Sequence, residues 1–205
     1  MTITNGYCTL AELKAELAAE TVDSVDDAVL ERIIEDASRA IDAYCGRQFY
    51  ASTGSAPRYY DVPEDEYLWL DADLLAAGSV WNGDGALISA SNYSLFPRNS
   101  QSHNALALRK GSSVWWTTDA NGNDDGVIAV SGSWGYVDRA ATDAMSVRVV
   151  ANTRRACLML ASAYYRKRFG QGADAATVTG AGVVLTPQGM PRDVAQILEG
   201  YRWLP

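Results

Sequence analysis

Between residues 30 and 45 the apolar positions recur three and four apart: Leu30, Ile33, Ile34, Ala37, Ile41, Tyr44 and Cys45. That spacing lays one continuous apolar stripe along a helix. Ser24, Asp26 and Asp27 stand before the stripe, a capping residue followed by acids suited to the positive end of the helix dipole. Gly46 follows it, where a left-handed C-terminal cap is commonly found. Upstream, Leu10, Leu13 and Leu17 predict a short first helix over 9–19, with Thr9 and Glu12 spaced for a capping box.

After Arg47 the period changes. Short segments rich in Tyr, Trp, Val and Leu (RYYDV, YLWL, SVWN, YSLF, ALALR, VWW and VIAVSGSW) alternate with the turn signals STGSAP, NGDG, PRNSQS and DANGNDDG up to Tyr136. They predict a β-rich insertion of about seven short strands, a small sandwich or barrel. In the last segment Ile128, Val130 and Trp134 share a face, and Gly132 between them marks a bulge or the close approach of another backbone.

Helical spacing returns over 142–169, where Val150, Cys157, Leu160, Ala161 and Tyr164 line one side. Arg166, Lys167 and Arg168 crowd its last turn before Gly170. Residues 170–190 are rich in Gly, Ala and Thr, with an apolar patch at Val183, Val184 and Leu185, and read as a functional or mobile loop. Pro191 opens a last helix in which Val194, Ile197, Leu198 and Tyr201 fall at i, i+3, i+4 and i+7. At about a dozen residues it needs something to dock on.

The pattern as a whole predicts an α+β chain. A small helical bundle, built on a long central helix, carries an inserted antiparallel β subdomain and a C-terminal docking helix. Its segments are 1–46 (first helices), 47–137 (β insertion), 138–170 (long helix), 171–190 (flexible Gly-rich loop) and 191–205 (last helix).

Composition narrows the class. With 205 residues, 48% of them hydrophobic, the chain can bury a core. It has neither the basic start and apolar stretch of a secretory signal nor a bilayer-length apolar run, so a soluble, cytoplasmically made protein is expected. Cys8, Cys45 and Cys157 are odd in number and far apart in sequence, and read as buried free thiols. The net charge of -8 argues against a protein that wraps nucleic acid. Charge is also uneven: residues 1–145 carry 9 Lys/Arg against 22 Asp/Glu, and residues 146–205 carry 8 against 3. An uneven solvated surface is the simplest account; a sharper one has unlike ends of neighbouring copies meeting in a head-to-tail ring.

Candidate chemistry is sparse. The single histidine, His103, lies in the polar turn SQSHN and is expected to be solvent-exposed; no metalloprotease, nucleophile-elbow or phosphate-loop motif accompanies it. GAGVVL at 180–185 lacks the third glycine of a dinucleotide loop. Asp119, Asn121 and Asn123 alternate like calcium ligands, yet Asp124 stands in place of the required glycine and Val130 in place of the bidentate Glu, so a hairpin turn is expected. Glu31, Glu35 and Asp36 form the solvated side of a helix. No catalytic residue, cofactor or metal is expected. Trp69, Trp81, Trp115, Trp116 and Trp134 read as core or subunit interface, with a carbohydrate-binding or adhesion surface as the alternative.

One resemblance spans residues 9–202. A helix ending in IDAYCGRQFY is followed by RYYD, YLWL, NYSLFPRN, SGSWGY, a long helix with YYRKR, and GMPRDVAQILEGYR. This order resembles the head-tail connector, or adaptor, proteins of long-tailed bacteriophages. The long 170–190 loop and the extra turns NGDG and DANGNDDG depart from that pattern.

The resemblance implies a non-enzymatic virion protein of the head-tail neck, assembled in the bacterial host cytoplasm. It would form a ring, commonly of twelve copies, beneath the portal protein. Genomic DNA would pass through the ring without specific binding, and a downstream neck or tail protein would dock on it; no membrane is involved. By the same resemblance, Pro191, Val194, Ile197, Leu198, Tyr201 and Trp203 would form the portal-binding segment.

Overall fold

The computed structural model describes residues 3–17, 27–52, 56–137, 151–169, 177–178, 184–185 and 189–203. The chain is α+β, with four helices and a five-stranded antiparallel sheet among the described residues. It divides into two compact units, Met1–Gly46 with Ala151–Pro205, and Arg47–Val150.

The first unit is helical. Helix α1 (Leu10–Glu16) starts at the expected capping box: the Glu12 amide donates to Thr9 Oγ1 at 3.2 Å and the Thr9 amide donates to Glu12 Oε2 at 2.8 Å. It is shorter than predicted, since Leu17 already caps its C-terminus. The expected start of the next helix at Ser24 lies outside the described residues. Helix α2 (Asp27–Cys45) buries Leu30, Ile33, Ile34, Ala37, Ile41 and Cys45 as the spacing predicts, and Gly46 takes φ 62°.

The stripe differs at two positions. Tyr44 is only partly buried, and Ser38 is fully buried, its hydroxyl donating to Ile34 O at 2.7 Å and accepting from the Tyr7 amide at 3.0 Å. These bonds satisfy a polar group that would otherwise be costly in the core.

Helix α3 (Ala151–Arg168) packs along α2; the first part of its expected 142–169 span lies outside the described residues. Its buried face holds Thr153, Ala156, Cys157, Leu160, Ala161, Ser162 and Tyr165. Tyr165, not the predicted Tyr164, turns inward, and its ring centroid lies 4.6 Å from that of Phe169. Small residues along α3 leave room for close approach to a neighbouring helix. All three cysteines are free and buried, and Cys8 Sγ lies 3.5 Å from Cys157 Sγ. The neighbouring sulfur and burial push the Cys8 thiol well above its ordinary range. Within 171–190, Thr177–Val178 (β6) and Val184–Leu185 (β7) pair antiparallel, so the predicted loop contains a two-stranded element.

The second unit is the β insertion. Strands β1 (Pro57–Tyr60), β2 (Tyr67–Trp81), β3 (Tyr93–Phe96), β4 (His103–Leu108) and β5 (Ile128–Trp134) form one sheet in the order β1-β5-β2-β4-β3. The sequence predicts seven strands, and two of those readings fail. YLWL and SVWN are the ends of one fifteen-residue strand, β2, which pairs first with β4 (Trp69↔Ala105) and then with β5 (Val80↔Val130), shifting register between. VWW is not a strand in the structure. Buried Asn82 clamps it as loop, donating from Nδ2 to Trp115 O at 2.8 Å and accepting from the Thr117 amide at 3.0 Å.

Strand β5 alternates as predicted, with Ile128, Val130 and Trp134 facing a core that includes Leu68, Leu74 and Leu106. A Cβ on Gly132 would stand 2.2 Å from Ala76 O, which explains the glycine by close backbone approach. The incoming chain is tied to the outgoing one: the Tyr136 amide donates to Gln48 O at 2.8 Å and the Ser52 amide to Trp134 O at 2.7 Å.

Candidate interaction surfaces

The C-terminal segment forms α4 (Arg192–Leu198), preceded by Pro191 and followed by a single 3-10 turn, Glu199–Tyr201. Its stripe is divided. Val194 and Leu198 are 1% and 0% exposed, covered by their own helical unit where α4 lies along α3, while Pro191, Ile197, Tyr201 and Trp203 are partly exposed. Polar bonds tie the segment down as well. The Trp203 amide donates to Cys45 O at 2.7 Å, Tyr44 Oη donates to Glu199 Oε2 at 3.1 Å, and Asn152 Nδ2 donates to Tyr201 Oη at 2.9 Å.

A second surface lies in the β unit, on the side of the sheet opposite its core. Because side chains alternate, Leu68 and Leu70 point inward while Tyr67 and Trp69 point out. Tyr67 stacks on Trp69 with ring centroids 6.0 Å apart and meets the edge of Phe96 at 5.4 Å. Their cross-strand partners on β4 are Ala107 and Ala105, too small to cover the rings, and Trp69 remains 64% exposed. The Arg98 guanidinium lies 4.9 Å from the Phe96 centroid.

A groove of about 450 Å³ runs over this face between Tyr67, Phe96 and Ala107, lined as well by Arg98, Arg109, Lys110 and Glu66. A neighbouring cleft of about 650 Å³ lies between the 63–66 and 108–116 loops, beside exposed Trp115.

The remaining tryptophans divide between core and surface. Trp134 is core, Trp116 packs partly against it and donates from Nε1 to Glu66 O at 3.4 Å, and Trp81 and Trp115 are exposed. They form no common stacking row in the strand register, since Trp69 pairs with Ala105 and Trp81 with Ala129.

The chemistry-bearing residues do not converge. His103 opens β4 rather than lying in a free turn, is partly buried, and places Nδ1 2.9 Å from Pro97 O. Asp119 accepts from the Asn121 and Asn123 amides, both at 2.8 Å, and Gly122 takes φ 81°, the expected turn; these backbone bonds hold its carboxyl below the usual range. Asp73 is buried against Arg47, with Nη1–Oδ1 at 3.0 Å. Burial pushes Asp73 up to about 6 against the opposing pull of Arg47, so desolvation outweighs the ion pair. Among the described residues no group of three His, Cys, Asp or Glu side chains is placed to hold a metal ion, and no helix is long and apolar enough to cross a membrane.

Sequence reasoning singled out Trp69 as core or interface but missed Tyr67 and Phe96, the rings that join it on the outer face. Their signal was the alternation Tyr67-Leu68-Trp69-Leu70 opposite a strand with alanines at alternate positions.

No family model matches the chain, and no curated protein matches it. Solved structures do. A chain from the neck of an empty gene transfer agent (GTA) particle, computed with C6 symmetry, aligns at 16% identity and TM-score 0.55, covering 100% of this chain and 94% of its own. A chain from the virion of a native GTA particle aligns at 14% identity and TM-score 0.57, with the same coverage. A chain from the neck of a native GTA particle, computed with C12 symmetry, aligns at 16% identity and TM-score 0.55, covering 100% and 93%. The fold of this chain, end to end, is the fold of those particle components.

Proposed function

We propose that this protein is a structural head-tail connector of a phage-like particle. It forms a ring on the portal, extends the DNA channel and offers a platform to the next neck or tail protein. The observation that carries this reading is the end-to-end fold likeness to chains from GTA necks, over nearly the full length of both partners. A helical unit interrupted by a β insertion and closed by a short C-terminal helix agrees with the connector order read from the sequence. The dispersal of polar chemistry fits assembly better than catalysis.

In this reading the portal-docking segment is 191–203, and its partly exposed residues Pro191, Ile197, Tyr201 and Trp203 meet the portal first. Val194 and Leu198 serve the helical unit while the chain is free. They join the portal contact only if α4 leaves α3, an exchange a seven-residue helix can make because it has little stability of its own.

The test is retention of the chain on immobilised portal rings from the same genome. Removing residues 191–205 abolishes retention, but it also uncovers the helical core. Ile197→Asp, which leaves Val194 and Leu198 in place, separates the two effects. Loss of retention in a folded Ile197→Asp protein supports the docking segment, and full retention in both variants contradicts it.

A further inference from the structure

Two of the three buried cysteines of the helical unit lie against each other. Cys8 belongs to the segment that precedes α1 and Cys157 to α3, both are fully covered, and their sulfurs are 3.5 Å apart. The third, Cys45, has a different neighbour, its sulfur 4.0 Å from Leu198 O.

The surroundings make the two paired sulfurs unlike. Ser38 Oγ stands 3.5 Å from Cys157 Sγ, and its hydroxyl can turn from Ile34 O toward a thiolate there. The Cys8 thiol, Ser38 and the amides of Tyr7 and Cys8 together hold Cys157 below the ordinary thiol range, outweighing burial. Cys8 is pushed the other way, first by its hydrogen bond to Cys157 and then by burial. One sulfur is therefore biased toward thiolate and the other toward neutral thiol.

A strap covers the pair. Residues 3–9 contain no helix or strand and are seated on α2 by its side chains. The Thr4 and Asn5 amides donate to Glu35 Oε1 at 2.6 and 3.1 Å, and Arg39 Nη2 donates to Asn5 O at 3.1 Å. The Tyr7 amide donates to Ser38 Oγ at 3.0 Å, and Tyr7 Oη donates to Asp42. Glu35, Ser38, Arg39 and Asp42 fall at i, i+3, i+4 and i+7, so a single polar row of α2 holds the strap. A segment fastened in this way opens more readily than the helices beneath it, and lifting it uncovers Cys157 on the side that faces Cys8.

We infer that Cys8 and Cys157 form a reversible disulfide: Cys157 is the attacking sulfur, Cys8 the resolving one, and the closed bond locks the 3–9 strap to α3. Hydrogen peroxide serves as oxidant. The Cys157 thiolate attacks one peroxide oxygen, so an S–O bond forms as the O–O bond breaks; the departing oxygen takes a proton and leaves as water. The Cys8 sulfur then attacks the resulting sulfenic sulfur. The S–S bond forms, the S–O bond breaks, and the Cys8 proton leaves with the hydroxide as a second water. Each sulfur has lost one electron and the peroxide has gained two. The sulfurs must close from 3.5 Å to about 2.05 Å, which side-chain rotation and an irregular strap can supply. This chemistry belongs to the chain alone; in the connector reading the oxidant is met once a particle leaves the reducing cytoplasm of its host.

The test is mass spectrometry of the purified full chain after hydrogen peroxide, with and without later dithiothreitol. The treated chain loses two hydrogen atoms, yields a linked Cys8–Cys157 peptide and keeps Cys45 as a free thiol; dithiothreitol restores it. Amide exchange at Tyr7 and Cys8 slows roughly tenfold in the oxidised chain, because the strap can no longer lift. Its urea midpoint rises, since the bond closes a loop of 149 residues in the unfolded chain. Cys8→Ala, which cannot resolve, accumulates a sulfenic acid on Cys157 that dimedone traps, whereas Cys157→Ala leaves Cys8 unlabelled.

Three free thiols after a treatment that oxidises glutathione overturn the inference, and this reading needs no variant. So does a disulfide through Cys45 or between two chains. Equal dimedone labelling of Cys8 in Cys157→Ala and of Cys157 in Cys8→Ala overturns the assignment of roles, and unchanged amide exchange in the oxidised chain overturns the lock.

Discussion

Val194 and Leu198 in the helical unit and Tyr67 and Trp69 in the β unit are all large apolar residues close to a surface, but they meet opposite fates. The first pair closes onto α3 with 0–1% exposure, and Trp69 of the second stays 64% exposed over a floor of alanines. A helix turns one stripe inward and leaves its other sides polar. A strand shows every second residue to the other face, so a sheet with a core on one side must decide what its outer face does. Here α4 spends Val194 and Leu198 on the stability of its own unit. Strand β2 keeps Trp69 at an outer surface.

The sharpest way to break this contrast is to truncate one residue of each kind. Leu198→Ala is expected to destabilise the helical unit by about 2–5 kcal/mol, since it opens a cavity in a covered site. Trp69→Ala is expected to change stability by no more than about 0.5 kcal/mol. Urea unfolding followed by circular dichroism measures both, and equal losses would erase the distinction between covered and uncovered clusters. Within the β unit, Gly132→Ala places a methyl group against Ala76 O and is expected to cost about 1–3 kcal/mol, read by the same unfolding transition.

A third test uses pH. Asp73 titrates at about 6 in the folded β unit against an ordinary 3.8, so the folded chain holds a proton that the unfolded chain has already released. Its contribution is therefore complete below about pH 4 and is lost as pH rises through about 6. Asp73→Asn should remove that slope from the pH dependence of unfolding, and carboxyl NMR should place the wild-type midpoint near 6. A midpoint near 4 would mean that the Arg47 pair outweighs burial. The smallest expected loss in the helical unit is that of Thr9→Ala, which removes the α1 capping box and should cost about 1 kcal/mol there while leaving the β unit unchanged.

The helices were legible in the sequence because their stripes are local. The α2 stripe, the Thr9–Glu12 box and the Gly46 cap all rest on spacings of four residues or fewer. Tyr164 and Tyr165 mark the limit of that reasoning: both lie near the margin of the α3 stripe, and only packing against another element decides which turns inward. Strand β2 was illegible for a related reason. Asp71, Ala72, Asp73 and Gly78 are poor strand formers and read as a break, but the strand runs through them while changing partner from β4 to β5. A partly buried Arg47 beside Asp73 makes the acid tolerable there, and nothing near Asp73 in sequence announces it.

Val194, Ile197, Leu198 and Tyr201 were visible as a stripe, whereas what covers half of them is a tertiary fact. The same holds for the outer-face groove, whose cations come from the 98 and 109–110 segments and whose rings come from β2 and β3.

The connector assignment is tested most directly by native mass spectrometry of the full chain mixed with the portal ring from the same genome. The account predicts a complex heavier than the portal by about one copy of this chain per portal subunit, the ratio that two stacked rings of matching symmetry give. A portal ring whose mass is unchanged by excess chain would contradict it.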